Sequence, residues 1–289
     1  MRIHRNVEQQ DVNLFVGKVF DEHKDLIRDF CTSMGSQMNG GIYSVENVNG
    51  MVVAASTHCS TRHPYCVYVR LAFDFNCVDE RAIKFMIEYL KDEVKLPLFF
   101  LIDDRFSRLA EILVQRDFRL IRKTEVINIK PGILSSKHDV CDKEIKTVAQ
   151  ILNDPNLLSN LIGICKKIYT ETHLDNPVAD LSNSSWENVI FDDLIDSSSY
   201  VVINENIIIS FSLMYEGEGN SWELGWIGVV NSQEMDLLNL VLSKQLHDAN
   251  EHEIEYIEKE VDTTCPYSMH IVKSLTYDVS ETWYAYVET

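Results

Sequence analysis

The chain has 289 residues, of which 45% are hydrophobic, 25% charged and 10% aromatic, and its formal net charge is -19. This composition excludes a mostly disordered or collagen-like chain, and the length suits one large domain or two ordinary ones. No apolar run reaches the roughly 18 residues that a bilayer span requires, and the first residues lack the apolar core of a signal peptide. We therefore expect a cytoplasmic protein with no membrane partner.

The negative charge is concentrated in the second half of the chain. Residues 1–139 hold 19 Lys and Arg against 19 Asp and Glu, whereas residues 140–289 hold 7 against 26. Such a half repels phosphate backbones and attracts cationic small molecules, so we expect no nucleic-acid partner, although an acidic surface can also serve solubility alone. The seven cysteines form no CxxC pair, which indicates reduced thiols and no metal site.

The first 130 residues alternate between helical and strand patterns. The turn Asn49–Gly50 between two apolar runs predicts a hairpin. Apolar residues at helical spacing predict a helix over 79–94, namely Ile83, Met86, Ile87, Leu90 and Val94. The predicted order is a helix over 7–31, strands 41–47, 51–59 and 65–73, the helix 79–94, a strand 96–102, a helix 106–115, and two strands within 118–130.

A boundary follows these elements. Pro131–Gly132 and the turn formers after it predict a linker over about 131–142. We therefore predict two domains, 1–134 and 140–289.

The second half repeats the order of the first. The predicted elements are helices over 156–173 and 185–196, a hairpin over 199–217 that turns near 204–206, a strand 221–230, a helix 234–249, a strand 253–261, a helix 266–275 and a strand 281–287. Ser184 or Ser185 is the expected N-cap of the second helix, and Pro266 suits the first turn of the last one. Two passes through one order indicate an internal duplication.

This order resembles the GNAT superfamily of N-acetyltransferases over nearly the whole chain. The resemblance is strongest at WELGWIGV (222–229) and at SLTYDVSETWYAYV (274–287), and 115–120 and 275–277 take the place of a leucine-glycine-phenylalanine turn without its glycine. It implies an α/β (α+β) fold made of two tandem GNAT-like domains, each with a mixed, mostly antiparallel twisted sheet flanked by helices. The first domain is then a scaffold, and the second is the acetyl-CoA and substrate domain.

The resemblance also implies acetyl-CoA as co-substrate, held where the central strand meets the next helix. A helix N-terminus is a ready anion site, and the matching loop supplies the cofactor-binding candidates Val229, Val230, Asn231, Ser232, Gln233, Glu234, Met235 and Asp236. Thr264 and Cys265 are the candidates for the pantetheine arm, and the alternative for this stretch is a helix N-cap at Asp262 or Thr263. The glycines that this family places in the loop are absent here, as they are from 72–79 in the first half.

Two residues are catalytic candidates by this resemblance. Glu223, on the strand matched to the central one, would be the general base, and Tyr267 would be the nearest substitute for the acid that protonates the leaving thiolate. Strand alternation predicts Glu223 and Gly225 on one face and Trp222 and Trp226 on the other. The resemblance places Asp175 and Asp180 near one wall of the pocket for the acceptor substrate. There they could bind a cationic substrate, or they could simply lie in a solvated loop.

These observations leave two principal functions open. One is an N-acetyltransferase that moves an acetyl group from acetyl-CoA to a small cationic amine. The alternative is a non-catalytic GNAT-like module that binds a metabolite or a protein and whose cofactor loops have decayed. A third possibility is that the two domains have only a structural role and form dimers by joining their sheets, so a homodimer also stays open.

Overall fold

A computed structural model describes residues 1–35, 40–74, 76–77, 79–132 and 142–289. The chain forms two compact units: unit 1 comprises Met1–Lys123, Asp175–Ala179 and Trp283–Thr289, and unit 2 comprises Thr124–Leu174 and Asp180–Thr282. Most of the predicted linker, residues 133–141, lies outside the described residues. Within the described ranges, no helix combines the length and the apolar character that a bilayer crossing needs.

The first half of the chain supplies six strands and four helices among the described residues. In chain order they are β1 (Arg2–Arg5), α1 (Gln9–Phe20), α2 (Lys24–Gly35), β2 (Ile42–Asn47), β3 (Gly50–Cys59), β4 (Val67–Phe73), α3 (Glu80–Glu93), β5 (Leu98–Asp103), α4 (Ser107–Val114) and β6 (Phe118–Ile129). The helix α3 has the predicted apolar stripe, which is buried, and the side chain of Asp79 accepts a hydrogen bond from the backbone N–H of Ala82 at its start.

The second half supplies a matching series. It consists of β7 (Glu144–Thr147), α5 (Val148–Ile151), α6 (Pro155–Thr172), α7 (Asn183–Phe191), β8 (Tyr200–Asn204), β9 (Ile207–Glu216), β10 (Ser221–Val229), α8 (Asp236–Glu251), β11 (Tyr256–Asp262), α9 (Pro266–Ile271) and β12 (Tyr277–Glu288). The predicted turn near 204–206 is confirmed, because Glu205 and Asn206 both have positive φ, as a two-residue hairpin turn requires.

Each unit has one mixed sheet with the same strand order. Unit 1 is ordered β1-β2-β3-β4-β5-β12 and unit 2 is ordered β7-β8-β9-β10-β11-β6. Neighbouring strands are antiparallel except for β4 with β5 and β10 with β11. The predicted fold class, a mostly antiparallel sheet flanked by helices and present twice, is confirmed.

The last strand of each sheet comes from the other half of the sequence. Trp283–Val287 of β12 pair with β5 in unit 1, and Thr124–Ile129 of β6 pair with β11 in unit 2. The final strand of each compact unit therefore comes from the half of the sequence that forms most of the other unit. Independent folding of 1–134 and 140–289 stays a prediction.

Several predicted boundaries are wrong for local reasons. The helix expected over 7–31 is two helices, because the chain breaks at Asp21, which has positive φ. The two strands expected within 118–130 are one strand, β6. The N-cap of α7 is Ser182, not the predicted Ser184 or Ser185. The N-cap of α9 is Cys265, not the predicted Asp262 or Thr263.

Candidate active site in unit 2

The parallel strands β10 and β11 of unit 2 separate after three residue pairs. Ser221–Glu223 pair with Tyr256–Glu258, and β10 then continues to Val229 without a partner on β11 among the described residues. Leu224 and Ile227–Val229 are in register with β9 on their other side, so the β11 side of this stretch forms an opening.

A register shift between Leu224 and Ile227 changes the faces of β10. Trp222 packs in the apolar cluster with residues of α8, whereas the ring of Trp226 stacks on Tyr169 of α6 with centroids 4.9 Å apart. The two tryptophans therefore lie on opposite faces, and the prediction that they share one is wrong. The physical reason is the bulge, which inserts an extra residue into the alternation.

A cavity of about 480 Å³ lies at the carboxyl end of β10. Its walls are Val229 and Val230 of the strand end, Tyr267 of α9, and one long side of α6. The α6 residues are Asn156, Ser159, Asn160, Gly163, Ile164, Lys167, Ile168 and Glu171. Three predicted site residues, Val229, Val230 and Tyr267, are thus brought together.

The α6 wall escaped the sequence interpretation. Its signal is a polar and small-residue stripe at helical spacing that includes Gly163, whose place inside a helix costs about 1 kcal/mol relative to alanine. A Cβ built on Gly163 meets no atom within 4 Å. The glycine therefore widens the cavity.

The remaining predicted cofactor residues do not line this cavity. In the loop before α8, the side chain of Asn231 accepts a hydrogen bond from the backbone N–H of Gln233 at 3.1 Å, and Glu234 pairs with Lys143. Ser232, Gln233 and Asp236 are exposed, while Met235 packs against the apolar cluster of α8. Thr264 is exposed in the turn before α9, and Cys265 accepts a hydrogen bond from Ser268.

Tyr267 is partly buried in the cavity wall. Burial raises the pKa of its hydroxyl, and electrostatic interaction with Glu171 and Cys265 raises it further. The hydroxyl therefore stays protonated at neutral pH and can donate a hydrogen bond or a proton. Tyr267 thus lies in the cavity wall, and its acid role stays a prediction.

A row of carboxylates lies at the other end of the opening. Glu223 is exposed on β10 and stands in register with Glu258 on β11. Burial raises the pKa of Glu258 above its ordinary value, and the nearby charges of Glu223, Glu260, Glu281 and Glu218 add to the shift. Sequence reasoning missed Glu258 because its register with Glu223 depends on how β10 and β11 align.

Two side chains border the opening at Gly225. The ammonium group of Lys259 donates a hydrogen bond to the Gly225 carbonyl oxygen at 3.0 Å, and the Tyr215 ring lies so close that a Cβ on Gly225 would approach its Cε2 to 2.5 Å. The backbone beside Gly225 is therefore not open. A tyrosine ring covers that face, and a lysine occupies the edge.

The two aspartates considered for the acceptor pocket have other surroundings. In unit 1, Asp175 pairs with Arg119 at 2.6 Å, and the adjacent Asn176 is buried and bonded to Tyr68 and Cys66. In unit 2, Asp180 is fully exposed and its carboxylate lies 3.8 Å from Lys166. Asp175 is thus neutralised locally, and neither residue lines the cavity.

Unit 1 has little space at its equivalent opening between β4 and β5. The cavity there measures about 30 Å³, and Arg70 spans the opening by donating to the Leu101 carbonyl at 2.9 Å while it pairs with Asp29. Its cofactor-type loop, 72–79, includes residues 75 and 78, which lie outside the described residues. The large cavity is therefore a feature of unit 2.

Comparison with known proteins identifies the fold. No protein-family model matches the sequence, and no curated protein matches it either. A GCN5-related N-acetyltransferase from Sphaerobacter thermophilus has a similar structure, with a TM-score of 0.61 and 11% identity over 99% of this chain and 95% of that one. A tandem GNAT protein from the clavulanic acid biosynthesis pathway is also similar, with a TM-score of 0.56 and 9% identity over 99% of this chain and 98% of that one.

The structural match to a GNAT-family acetyltransferase from Colwellia psychrerythraea covers 100% of both chains, with a TM-score of 0.54 and 7% identity. At these identities the likeness establishes the fold alone. The chain has the tandem GNAT fold, and its chemistry has to be argued from the residues of the site.

Proposed function

We propose that this protein is an N-acetyltransferase whose unit 2 binds acetyl-CoA and transfers the acetyl group to a small cationic amine. The observation that carries the proposal is the 480 Å³ cavity at the carboxyl end of β10, beyond the stretch of β10 that has no described partner on β11. A cavity at the end of a strand whose edge has no strand partner suits a long polar chain with amide groups. It supports a CoA thioester better than a compact metabolite.

The residues present fit the arm of acetyl-CoA better than its phosphates. Apart from the Gly225 carbonyl, to which Lys259 donates, the strand edge at 224–229 has no described strand partner on its β11 side and offers backbone groups for amide groups. Gly163 leaves space in the α6 wall. Lys167 is the cation on the cavity wall. Glu234 and Asp236 at the start of α8 oppose a phosphate, although Lys143 neutralises the first of them.

The carboxylate row provides the acceptor side of the proposed reaction. Glu223 and Glu258 attract an ammonium group, and one of them must take its proton before the nitrogen can attack. The amine nitrogen bonds to the acetyl carbon, the carbon–sulfur bond breaks, and the departing sulfur takes up, through solvent, a proton equivalent to the one that the amine has lost. Acetyl-CoA, when bound, supplies the activated acetyl group for this transfer. The raised pKa of Glu258 suits a base, because proton transfer is most efficient when the pKa of the base is near the working pH.

Binding and turnover are tested separately on the full chain. A thermal-shift titration with acetyl-CoA is expected to stabilise the protein by about 2.7 kcal/mol at 100 times the dissociation constant. A thiol-release assay with small amines that carry a second positive charge then reports transfer. No stabilisation at millimolar acetyl-CoA would overturn the proposal, and stabilisation without thiol release across the amine panel would remove the catalytic part of it.

One observation favours the non-catalytic alternative. The loop before α8 uses Asn231 to satisfy the backbone N–H of Gln233 and places Glu234 and Asp236 at the helix start, where a phosphate would otherwise accept hydrogen bonds. A binding module that takes an uncharged or cationic metabolite in the cavity would show no preference for CoA over other ligands. A competition experiment between CoA and a fragment of CoA that lacks the nucleotide and its phosphates distinguishes the acetyltransferase from the binding module. Only the acetyltransferase requires the nucleotide end of CoA.

A further inference from the structure

The connection between α6 and α7 includes a short segment that belongs to unit 1. This inserted segment is Asp175–Ala179, and the chain on either side of it belongs to unit 2. Within the segment only Asn176 is buried, with 6% of its surface exposed. Its side-chain amide donates to the hydroxyl oxygen of Tyr68 at 2.7 Å, and its side-chain oxygen accepts a hydrogen bond from the Cys66 thiol at 3.2 Å. Because both ends of the buried amide have partners, Asn176 anchors the segment on unit 1.

A buried histidine holds the backbone of the same segment. Nδ1 of His63 lies 2.8 Å from the carbonyl oxygen of Asn176 and 3.2 Å from that of Pro177. A carbonyl oxygen only accepts hydrogen bonds, so Nδ1 must carry the hydrogen. The backbone N–H of Ala179 donates to the carbonyl oxygen of the adjacent Arg62 at 2.8 Å. The His63 ring is 7% exposed, so the segment is held by a histidine that is largely removed from water.

The surroundings of His63 oppose a positive charge on its ring. Burial lowers the pKa of His63; the two carbonyl oxygens offset part of this effect, and the charges of Arg62 and of Arg122 on β6 lower the pKa further. The nearby Cys66 remains a neutral thiol, because burial raises its pKa to about 12. A histidine in water has a pKa of about 6.5. Below that pH, the held segment therefore loses stability relative to a state in which the ring reaches water.

We propose that the inserted segment is a pH-sensitive latch, which neutral His63 holds on unit 1 and protonated His63 releases. When the ring moves into water, the carbonyl groups of Asn176 and Pro177 lose their donor. Only two residues separate the segment from the end of α6 at Thr172, and α6 forms the long wall of the 480 Å³ cavity. The latch therefore restrains the end of that helix. This proposal does not depend on acetyl transfer.

Hydrogen exchange of the Ala179 amide measures the latch in the full chain. This N–H is bonded to Arg62 while the segment is held, and protection factors corrected for the intrinsic effect of pH give the open fraction. From pH 7.5 to pH 5.5 the open fraction is expected to rise about five- to tenfold, because a solvated histidine takes up its proton in this range. The amides of α3, in the same unit, are expected to keep their protection.

Three variants identify the group that senses the proton. His63→Asn keeps an N–H donor near the position of Nδ1 but does not titrate, so its open fraction is expected to be the same at both pH values. Asn176→Ala removes the anchor and is expected to open the latch at both. His58→Asn is the matched control, because His58 is the other partly buried histidine of this region and stacks on Tyr68. It is expected to keep the wild-type response.

The possible outcomes decide the role of His63. A wild-type open fraction that does not change with pH, or an equal pH response in His63→Asn, overturns the latch. A response that disappears in His58→Asn, or a loss of protection in α3 together with Ala179, also overturns it. If His63→Asn does not melt cooperatively, an NMR titration of the His63 ring in the wild-type protein replaces it. A midpoint below 6.5 supports the latch, and a midpoint at or above 6.5 overturns it.

Discussion

Glu223 and Glu258 form the last register pair of the parallel strands β10 and β11, so their side chains lie on the same face at the point where the strands separate. On its other side, Glu258 stands in register with Asn128 of β6, whose buried side-chain oxygen has no hydrogen-bond partner in the described chain. A neutral Glu258 brings a proton donor beside that oxygen. Burial and the charge of Glu223 both favour this neutral form.

The pH dependence of the transfer rate should therefore depend on both Glu223 and Glu258. Glu223→Gln is expected to lower the rate by roughly 10²–10⁴ if Glu223 itself takes the proton. It should also lower the pKa of Glu258, because it removes one of the charges that raise it, and the acidic limb of the rate profile should move to lower pH. A rate profile identical to that of the wild type would exclude Glu223 from the reaction, whereas a raised Michaelis constant with an unchanged maximal rate would restrict it to binding.

Glu258→Gln is expected to stabilise the folded protein at neutral pH. A carboxyl group whose pKa is raised by folding favours the folded state below its unfolded pKa and loses that contribution as the pH rises through the folded value. The variant should therefore melt higher than the wild type at pH 7–8, and the difference should shrink towards pH 4. Thermal melts at several pH values measure this, and a pH-independent difference would contradict the burial argument.

Gly163→Phe is expected to reduce acetyl-CoA affinity at least tenfold. The new side chain would extend from α6 into the cavity, and its Cβ meets no atom within 4 Å. Gly17→Phe is the matched control, because Gly17 is also a helical glycine with open space at its Cβ but lies in unit 1. Titration calorimetry on both variants makes the comparison, and equal affinities would move the ligand site away from this cavity.

Gln245→Met should destabilise unit 2 by about 2–4 kcal/mol. The Gln245 side chain is fully buried, accepts a hydrogen bond from Ser212 at 2.6 Å and donates to the carbonyl oxygens of Ser198 and Ser212. Methionine would leave these groups buried without partners, at about 1–3 kcal/mol each. Chemical denaturation measures the loss, and the exposed Gln233→Met should change the free energy of unfolding by no more than about 0.5 kcal/mol.

Removal of Trp283–Thr289 should unfold unit 1 although these residues end the second half of the sequence. They pair with β5, bury Ala285 and Tyr286, and place Glu288 against Lys91 and the backbone N–H of Leu98. Deletion would expose the β5 edge and open the apolar cluster that Tyr286 joins. Limited proteolysis should then cleave within 1–123 before unit 2, and an unchanged protease pattern would show that β12 is dispensable for unit 1.

The local sequence was sufficient for the elements and for their order. Alternation and helical spacing are properties of neighbouring residues, so α3, the turns at Asn49–Gly50 and 204–206, and the repeated series of both halves could be predicted directly. Two of the predicted cofactor residues, Val229 and Val230, line the cavity at the end of β10, and their role stays a prediction. The rest of the predicted loop, residues 231–236, lies outside the lining of that cavity.

What only the tertiary structure decided depends on contacts between distant parts of the chain. The exchange of β6 and β12 between the two sheets leaves no local pattern, because each strand has the same alternation whichever neighbour it pairs with. The bulge in β10 placed Trp222 and Trp226 on opposite faces against simple alternation. The register of Glu258 with Glu223, and the reach of Lys259 to Gly225, follow from how two strands 35 residues apart in register align and then separate, which the identity of neither residue could reveal.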